Sequence, residues 1–215
     1  MKEKIMLTGL CGRSGAGKGY VSSIFSEYGI PSIDTDDVYR KMTSPSNVLS
    51  PCMKELKENF GDAVVSDDNS LNRKEMRKLV FGENNKNLNK LNEITHKYIL
   101  SDTLKKAKEL YTIGYNIILI DAPVLFESGF DKMCEKIVCV TSSDDILLSR
   151  IMKRDLLSEE DARTRLAAQK SFSELEALSD FIIYNDCEKD ELKLRVKECV
   201  MFLRSVYDEK FGHSH

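Results

Sequence analysis

Gly12-Arg13-Ser14-Gly15-Ala16-Gly17-Lys18-Gly19 is the stretch that decides how this chain is read. It carries the G-x-x-x-x-G-K core of a phosphate-binding loop, with Gly19 where a Ser or Thr ordinarily follows the lysine. Gly12, Gly15 and Gly17 reach backbone angles closed to other residues and put no side chain between main chain and ligand. Successive backbone N–H groups then converge on phosphate oxygens, while Lys18 sets a compact positive charge on the β- and γ-phosphates. A helix starting here adds roughly half a unit of positive charge at its N-terminus. The residue after the lysine normally offers its hydroxyl to magnesium, so Gly19 bears on how the metal is held.

Working outward, residues 4–8 read as a short buried strand entering the loop. Residues 19–28 read as the helix leaving it, with Val21, Ile24, Phe25 and Tyr28 on one face. Strand, glycine loop and helix in that order separate a phosphate loop from a glycine-rich turn with an exposed lysine. Further buried strands are expected at 30–33, 116–120, 136–141 and 181–184. Helices are expected at 146–153, 159–169 and 189–207, the last with Leu192, Val196, Val200, Leu203 and Tyr207 on its apolar side. Helices alternating with short apolar strands predict an α/β fold around a parallel sheet. Residues 37–110 differ in texture. They read as mostly helical and rich in Asn and Lys, with apolar runs such as Leu79-Val80-Phe81. Ser44-Pro45-Ser46 and Ser66-Asp67-Asp68-Asn69-Ser70 read as turns. A helical excursion between two core strands lies where ligands gather at the open end of the sheet, and is expected to hold a second substrate.

Length and composition bound the answer. The 215 residues suit one domain with a small insertion, and 32 Lys and Arg against 35 Asp and Glu give a net charge of −3. The electrostatic footprint of a nucleic-acid binder is therefore absent. Cys11, Cys52, Cys134, Cys139, Cys187 and Cys199 form no C-x-x-C pair and no metal spacing with histidine, which predicts reduced thiols in a cytoplasmic protein. Met1-Lys2-Glu3-Lys4 leads straight into the first strand, so no signal peptide is expected. The apolar run at 117–120 is far too short to span a membrane. Gly212-His213-Ser214-His215 reads as a solvated tail.

Three groups of side chains surround the loop in this reading. Asp34-Thr35-Asp36-Asp37 follows the second strand. One Asp there caps the next helix, while another is placed to accept a hydroxyl proton or bind magnesium through water. Asp121 ends a four-residue apolar strand in the manner of a Walker B segment and would face the metal. A plain strand terminator is the alternative. Arg150, Lys153, Arg154, Arg163 and Arg165 form the third group, with Arg150 and Arg154 on one helix face. Such arginines either close on a triphosphate or belong to a salt-bridged surface helix, and spacing alone leaves both open. Ser158-Glu159-Glu160-Asp161 is placed to cap the helix that follows.

With those residues in hand, the chain resembles the dephospho-coenzyme A kinase family over nearly its full length. The matching landmarks are the loop Gly12 to Lys18, Asp34-Thr35-Asp36, Arg73 before an apolar helix ending in Phe81, and Leu91-Asn92 with His96. They continue with Asp121-Ala122-Pro123-Val124-Leu125-Phe126-Glu127, the Arg150/Arg154 pair, Gln169 and Asn185. The resemblance implies a P-loop kinase fold, a parallel sheet flanked by helices with a helical substrate-binding insertion and a small lid. The core would be 1–36, 111–149 and 170–215, the acceptor-binding region 37–110 and the lid 150–169. It implies transfer of the ATP γ-phosphate to the ribose 3′-hydroxyl of dephospho-CoA, with Mg2+ bound alongside ATP. Asp36 would be the general base, and Lys18 and Arg150 would steady the transferring group. Gly12, Gly15, Ala16, Gly17, Lys18, Gly19, Tyr20, Arg154 and Asn185 would bind the nucleotide. Asp36, Arg73, His96 and Asp121 would bind the acceptor, and Asp36 and Asp121 would hold magnesium through water. The chain departs from the family pattern at three places. Gly19-Tyr20 stands for Ser-Thr, His96-Lys97 for His-Pro, and Asn185-Asp186-Cys187 for Asn-Asn-Gly.

The partners expected are ATP and dephospho-CoA, with no nucleic acid and no membrane, in a monomer or small homo-oligomer. Two other readings stand beside this one. One is a kinase of the same fold for another small acceptor such as a nucleoside or nucleotide. The other is a nucleotide-binding protein impaired in catalysis by the missing loop hydroxyl. Retention of Asp36, Asp121, Lys18 and Arg150 together argues against the last, because binding alone needs no base.

Overall fold

In chain order the computed structural model contains β1 (Met6–Cys11), α1 (Lys18–Glu27), β2 (Ser32–Asp34), α2 (Thr35–Met42), α3 (Pro51–Phe60), α4 (Arg73–Val80) and α5 (Lys86–Thr112). These are followed by β3 (Ile117–Asp121), β4 (Lys136–Thr141), α6 (Asp144–Asp155), α7 (Glu159–Ala167), α8 (Phe172–Ala177), β5 (Phe181–Tyr184) and α9 (Lys189–Phe211). The structure describes residues 4–80 and 86–212. The expectations placed on Met1 to Glu3, on Phe81 and on His213 to His215 lie outside the described residues.

Every residue of β1 is buried, as a strand covered on both faces requires. It pairs in parallel with β3 on one side and β4 on the other, and β4 pairs in parallel with β5. The sheet order is β2-β3-β1-β4-β5. The strand that feeds the phosphate loop is thus the central one, with its position fixed from both sides. Contacts group the chain into two compact units, Met1–Ile33 with Ala107–His215, and Asp34–Lys106.

The first unit has a core of Met6, Leu10, Ile24, Phe25, Leu119, Val140, Leu147, Ile151, Val196, Val200 and Leu203. Val21, Ile24 and Phe25 of α1 are buried on one face, as their spacing predicts, and Tyr28 packs partly buried against the same core. In α9, Leu192, Val196, Val200 and Leu203 are buried, and Tyr207 packs beside them. The second unit closes over Cys52, Met53, Leu56, Val64, Leu71, Met76, Val80 and Ile94. Its helices α2 and α3 start on side-chain caps. Asp34 accepts from the N–H groups of Asp36 (2.8 Å) and Asp37 (3.2 Å), and Ser50 accepts from that of Met53 (3.2 Å) ahead of Pro51.

Several boundaries differ from the sequence expectation. The first strand runs to Cys11 rather than Thr8, because both neighbours continue the ladder past Gly9. Gly9 is a close approach, not a turn. A Cβ there would lie 2.7 Å from Leu125 Cδ2, so Leu125 fills the space a side chain would need. The second strand is Ser32–Asp34 instead of 30–33, with Ile30 tied back to the Phe25 carbonyl. The helix after the loop begins at Lys18, one residue early, because Gly17 takes the cap position. α6 extends two residues beyond the expected 146–153 at each end, and α7 stops two short of 169. The short α8 was not expected. It starts on a capping box between Ser171 and Glu174.

Candidate active site

The loop between β1 and α1 is built by backbone crowding. Gly12, Gly15 and Gly17 have φ of 151°, 83° and 85°. A Cβ would lie 2.3 Å from the Val140 carbonyl at Gly12, 2.7 Å from the Leu147 carbonyl at Gly15, and 2.3 Å from Asn185 Nδ2 at Gly17. No other residue satisfies both the angle and the space. Gly17 caps α1 without a side chain, so the first N–H groups of the helix carry no side-chain cap and are suited to an anion. Lys18 Nζ donates to the Gly12 carbonyl at 3.3 Å, which draws the ammonium back across the loop. Gly19 differs from the other loop glycines. It is exposed, and a Cβ there meets nothing within 4 Å. Crowding therefore does not exclude a hydroxyl at this position. Tyr20 is 41% exposed on the same turn.

The carbonyl side of the loop is held by groups from β5 and α6. Asn185 Nδ2 donates to the Ala16 carbonyl at 2.8 Å. Asn185's own carbonyl accepts from Ser142 Oγ (2.9 Å) and Arg150 Nη2 (3.0 Å), and Arg150 Nη1 reaches the Gly15 carbonyl at 3.3 Å. One turn along α6, Arg154 Nη2 donates to Ser14 Oγ at 3.1 Å, so the Arg150/Arg154 face does point at the loop. Arg154 and Arg165 both bind the Asp155 carboxylate. The hydrogen bond from Arg154 chiefly holds that carboxyl below the usual carboxylate range. Ser158 caps α7 by accepting from the Asp161 N–H at 3.1 Å. Gln169 Oε1 accepts from the Ser14 N–H at 2.9 Å, so a side-chain oxygen occupies one loop amide. Arg13 donates to Asp144, and its Nε is buried without a hydrogen-bond partner.

Asp121 ends β3 opposite Leu10, two residues before Gly12, so strand register brings this carboxylate to the base of the loop. Directly after it, Pro123 to Glu127 form one wall of a cavity of about 160 Å³. Cys11, Gly12, Arg13, Gln169 and Lys170 line the remainder with Ala168 and Leu175.

The second unit carries the other candidate residues. Asp34 is taken up as the cap of α2, which leaves Asp36 exposed in the first turn. Arg73, the first residue of α4, stacks over the ring of Tyr39 at 5.6 Å and reaches Thr43 Oγ1 at 3.4 Å. Arg73 thus packs on the helix that bears Asp36, and Tyr39 lies one turn on from that carboxylate. His96 lies half-buried in α5, and burial pushes its pKa down. At neutral pH it presents a neutral imidazole rather than a cation.

Among the described residues, those of the loop, Arg150, Arg154 and Asn185 form one hydrogen-bonded set. Sequence reasoning did not single out Ser142 or Asp144, and it gave no contact for Arg13 or Gln169. Ser142, Arg13, Asp144 and the Gln169 contact with Ser14 carry no motif signal of their own. The available hint is positional, since Ser142 and Asp144 directly follow the C-terminal end of β4. Tyr39 was also missed.

A family model described as dephospho-CoA kinase matches residues 6–191. The chain belongs to the dephospho-CoA kinase family. It is therefore a kinase, a phosphotransferase of that family. It is 31% identical over 202 residues to the dephospho-CoA kinase of Listeria monocytogenes, covering 94% of this chain and 98% of that protein. It is 33% identical over 193 residues to that of Fusobacterium nucleatum, covering 90% and 96%. Among solved structures, the dephospho-CoA kinase from Campylobacter jejuni superposes with a TM-score of 0.65 at 24% identity, covering 92% of this chain and 96% of that one. A shikimate kinase from Bacteroides thetaiotaomicron gives 0.54 at 13%, over 93% and 98%. These two likenesses concern the fold, the P-loop kinase arrangement of a parallel sheet flanked by helices.

The contact at Gly17 gives a direct test of the loop. Gly17→Ala sets a methyl against Asn185 Nδ2 at an angle that L-residues avoid. ATP binding measured by calorimetry is expected to disappear while the far-ultraviolet circular dichroism stays unchanged. Retained ATP affinity in this variant would show that the loop is not the nucleotide site.

Proposed function

We propose that this member of the dephospho-CoA kinase family transfers the γ-phosphoryl group of ATP to the ribose 3′-hydroxyl of dephospho-CoA through the loop and the carboxylate of Asp36, giving coenzyme A and ADP. The observation that carries this reading is the loop itself. Its Gly15 and Ala16 carbonyls are engaged by Arg150 and Asn185, and the helix N-terminus that follows carries no side-chain cap and suits an anion. Phosphoryl transfer asks little covalent chemistry of a protein, and catalysis is mostly positioning and charge stabilisation.

The individual roles follow from placement. Lys18 leaves the Gly12 carbonyl and sits on the β- and γ-phosphates. Arg150, already at the Gly15 carbonyl, is within reach of charge spreading over the transferring group. Arg154, joined to Ser14 and Asp155, belongs to a lid built from α6 and α7. Asn185 acts on the nucleotide through Ala16, since its amide is committed to that carbonyl. Gly19 and Tyr20 lie beside the phosphates in the first turn of α1. Asp36 accepts the proton of the 3′-hydroxyl as its oxygen attacks the γ-phosphorus and ADP departs. Arg73 and the neutral imidazole of His96 bind the acceptor, the first by charge and the second by hydrogen bonding.

Among the described residues no group of three or more His, Cys, Asp or Glu side chains is placed to hold a metal. The candidate protein donors are the carboxylates of Asp36 and Asp121. A cation drawing most of its ligands from phosphates and water matches the preference of Mg2+. Such an ion, held by those two residues through water, would supply charge neutralisation on the phosphates. Six free cysteines suit a reducing cytoplasm.

Two variants test the assignments. Asp36→Asn is expected to lower kcat on the order of 10²- to 10⁴-fold with little change in the KM for ATP. An unchanged kcat removes Asp36 as the base. Gly19→Ser enters open space and restores the missing hydroxyl, so half-maximal activity is expected at a lower magnesium concentration with the same acceptor preference. An identical magnesium titration would mean that position 19 is remote from the metal.

A further inference from the structure

Cys11 closes β1 at the mouth of the loop, and its register partner on the neighbouring strand is Cys139 in β4. Register partners on adjacent parallel strands project to the same face. Strands lie about 4.8 Å apart, within the Cα separation that a disulfide spans. Ser179 stands beside Cys11, its Oγ 3.8 Å from Cys11 Sγ, and Cys139 Sγ lies 3.8 Å from the Val140 carbonyl. No other pair among the six cysteines is aligned by a strand register described here.

Access to the two sulfurs is unequal. Cys139 is fully buried, whereas Cys11 lines the cavity that also meets Gly12, Arg13, Phe126 and Gln169. A small solute entering there meets Cys11 first. Proton affinity is unequal as well. The neighbouring Cys139 side chain, and further away the charge of Lys18, pull the Cys11 thiol down despite its burial. The Cys11 side chain and burial push Cys139 up, and burial raises Cys52 to about 11 and Cys134 to about 12. The thiolate is the nucleophile, so attack is directed to Cys11 and resolution to Cys139.

We propose that Cys11 and Cys139 form a peroxide-sensitive dithiol site whose oxidation closes the phosphate loop to nucleotide. The Cys11 thiolate attacks hydrogen peroxide, the O–O bond breaks, and the departing hydroxide is protonated to water, leaving a sulfenic acid on Cys11. The Cys139 sulfur then attacks Cys11 Sγ, loses its proton, and displaces the sulfenic oxygen as a second water. Two thiols are oxidised to one disulfide and one peroxide is reduced to two waters. A thiol reductant reverses the change.

The consequence for the loop comes from its lack of slack. Gly12 follows Cys11, and Val140 follows Cys139. The space between Gly12 and the Val140 carbonyl is too small for even a Cβ. Linking the two cysteines at that spacing ties the end of β1 covalently to β4 and takes from Gly12, whose carbonyl also holds Lys18, the freedom to adjust to a phosphate. The effect on binding rests on the nucleotide reading above, while formation of the disulfide does not.

The test treats the reduced full-length chain with hydrogen peroxide, maps disulfides by peptide mass spectrometry, and titrates ATP by calorimetry before and after. The expected result is a Cys11–Cys139 linkage, ATP affinity lowered by on the order of tenfold or more, and recovery in dithiothreitol. Cys139→Ala and Cys139→Val, of which either suffices if the other misfolds, are expected to bind ATP when reduced and to form no disulfide. Cys187→Ser is expected to behave as the parent. Absence of the linkage, a linkage elsewhere, or a linkage with unchanged ATP affinity overturns the proposal. Failure of the reduced parent to bind ATP would instead count against the nucleotide reading, with the peptide map still deciding whether the dithiol forms.

Discussion

The rest of the first unit is arranged around one hydrogen bond, from the Asn185 side chain to the Ala16 carbonyl at 2.8 Å. A peptide group that spends its carbonyl outward has its N–H facing the other way. The Asn185 contact with the Ala16 carbonyl therefore turns the Gly17 N–H away from Asn185, while the Ala16 N–H closes the loop on the Arg13 carbonyl at 3.1 Å. This demands that β4 and β5 end at the right level. Their parallel register supplies it, with Thr141 opposite Tyr184 and the Asn185 N–H donating to the Thr141 carbonyl at 2.7 Å. It also demands glycine at 17, because Asn185 Nδ2 occupies the place of a side chain there.

The loop is poised rather than open. Gln169 Oε1 sits on the Ser14 amide and Lys18 is folded onto Gly12, so a phosphate must displace an acceptor from one and draw the other forward. At Ser14 the exchange replaces a neutral hydrogen bond with a charge-assisted one, which is shorter and stronger, and at Lys18 the ammonium trades a neutral carbonyl for an anionic oxygen. The same displacement would loosen the hold of Gln169 and Arg154 on Ser14, linking nucleotide arrival to α6 and α7. The ion pairs of Asp155 with Arg154 and Arg165 lie at the surface, where such contacts contribute little stability.

Much of this was legible in the sequence, and the failures have physical causes. The strands at 136–141 and 181–184 followed from apolar runs, which are local properties, and helical spacing put Arg150 and Arg154 on one face while leaving its direction open. The first strand runs three residues past the expected end at Thr8, through Gly9. Leu125, more than a hundred residues away, makes it a packed position. Asn185 could be tied to the nucleotide by resemblance, yet its partner, Ala16, is set by the tertiary fold. The charge state of His96 depends on burial in α5, which residue type cannot announce. In 37–110 the helical character was evident, but separate helices were not, since capping by Asp34 and Ser50 depends on which serines and aspartates face a free N–H. The alignment of Cys11 with Cys139 is likewise a matter of strand register, invisible to spacing along the chain.

The central claim is that the loop hands a phosphoryl group to one hydroxyl of one acceptor. It is tested most directly by incubating the chain with magnesium, γ-phosphorus-labelled ATP and dephospho-CoA, and locating the label by nuclear magnetic resonance. The account predicts label on the ribose 3′-oxygen of the product, with ADP formed in equal amount. ATP bound without transfer, or label passing to a nucleoside or nucleotide and not to dephospho-CoA, would contradict it.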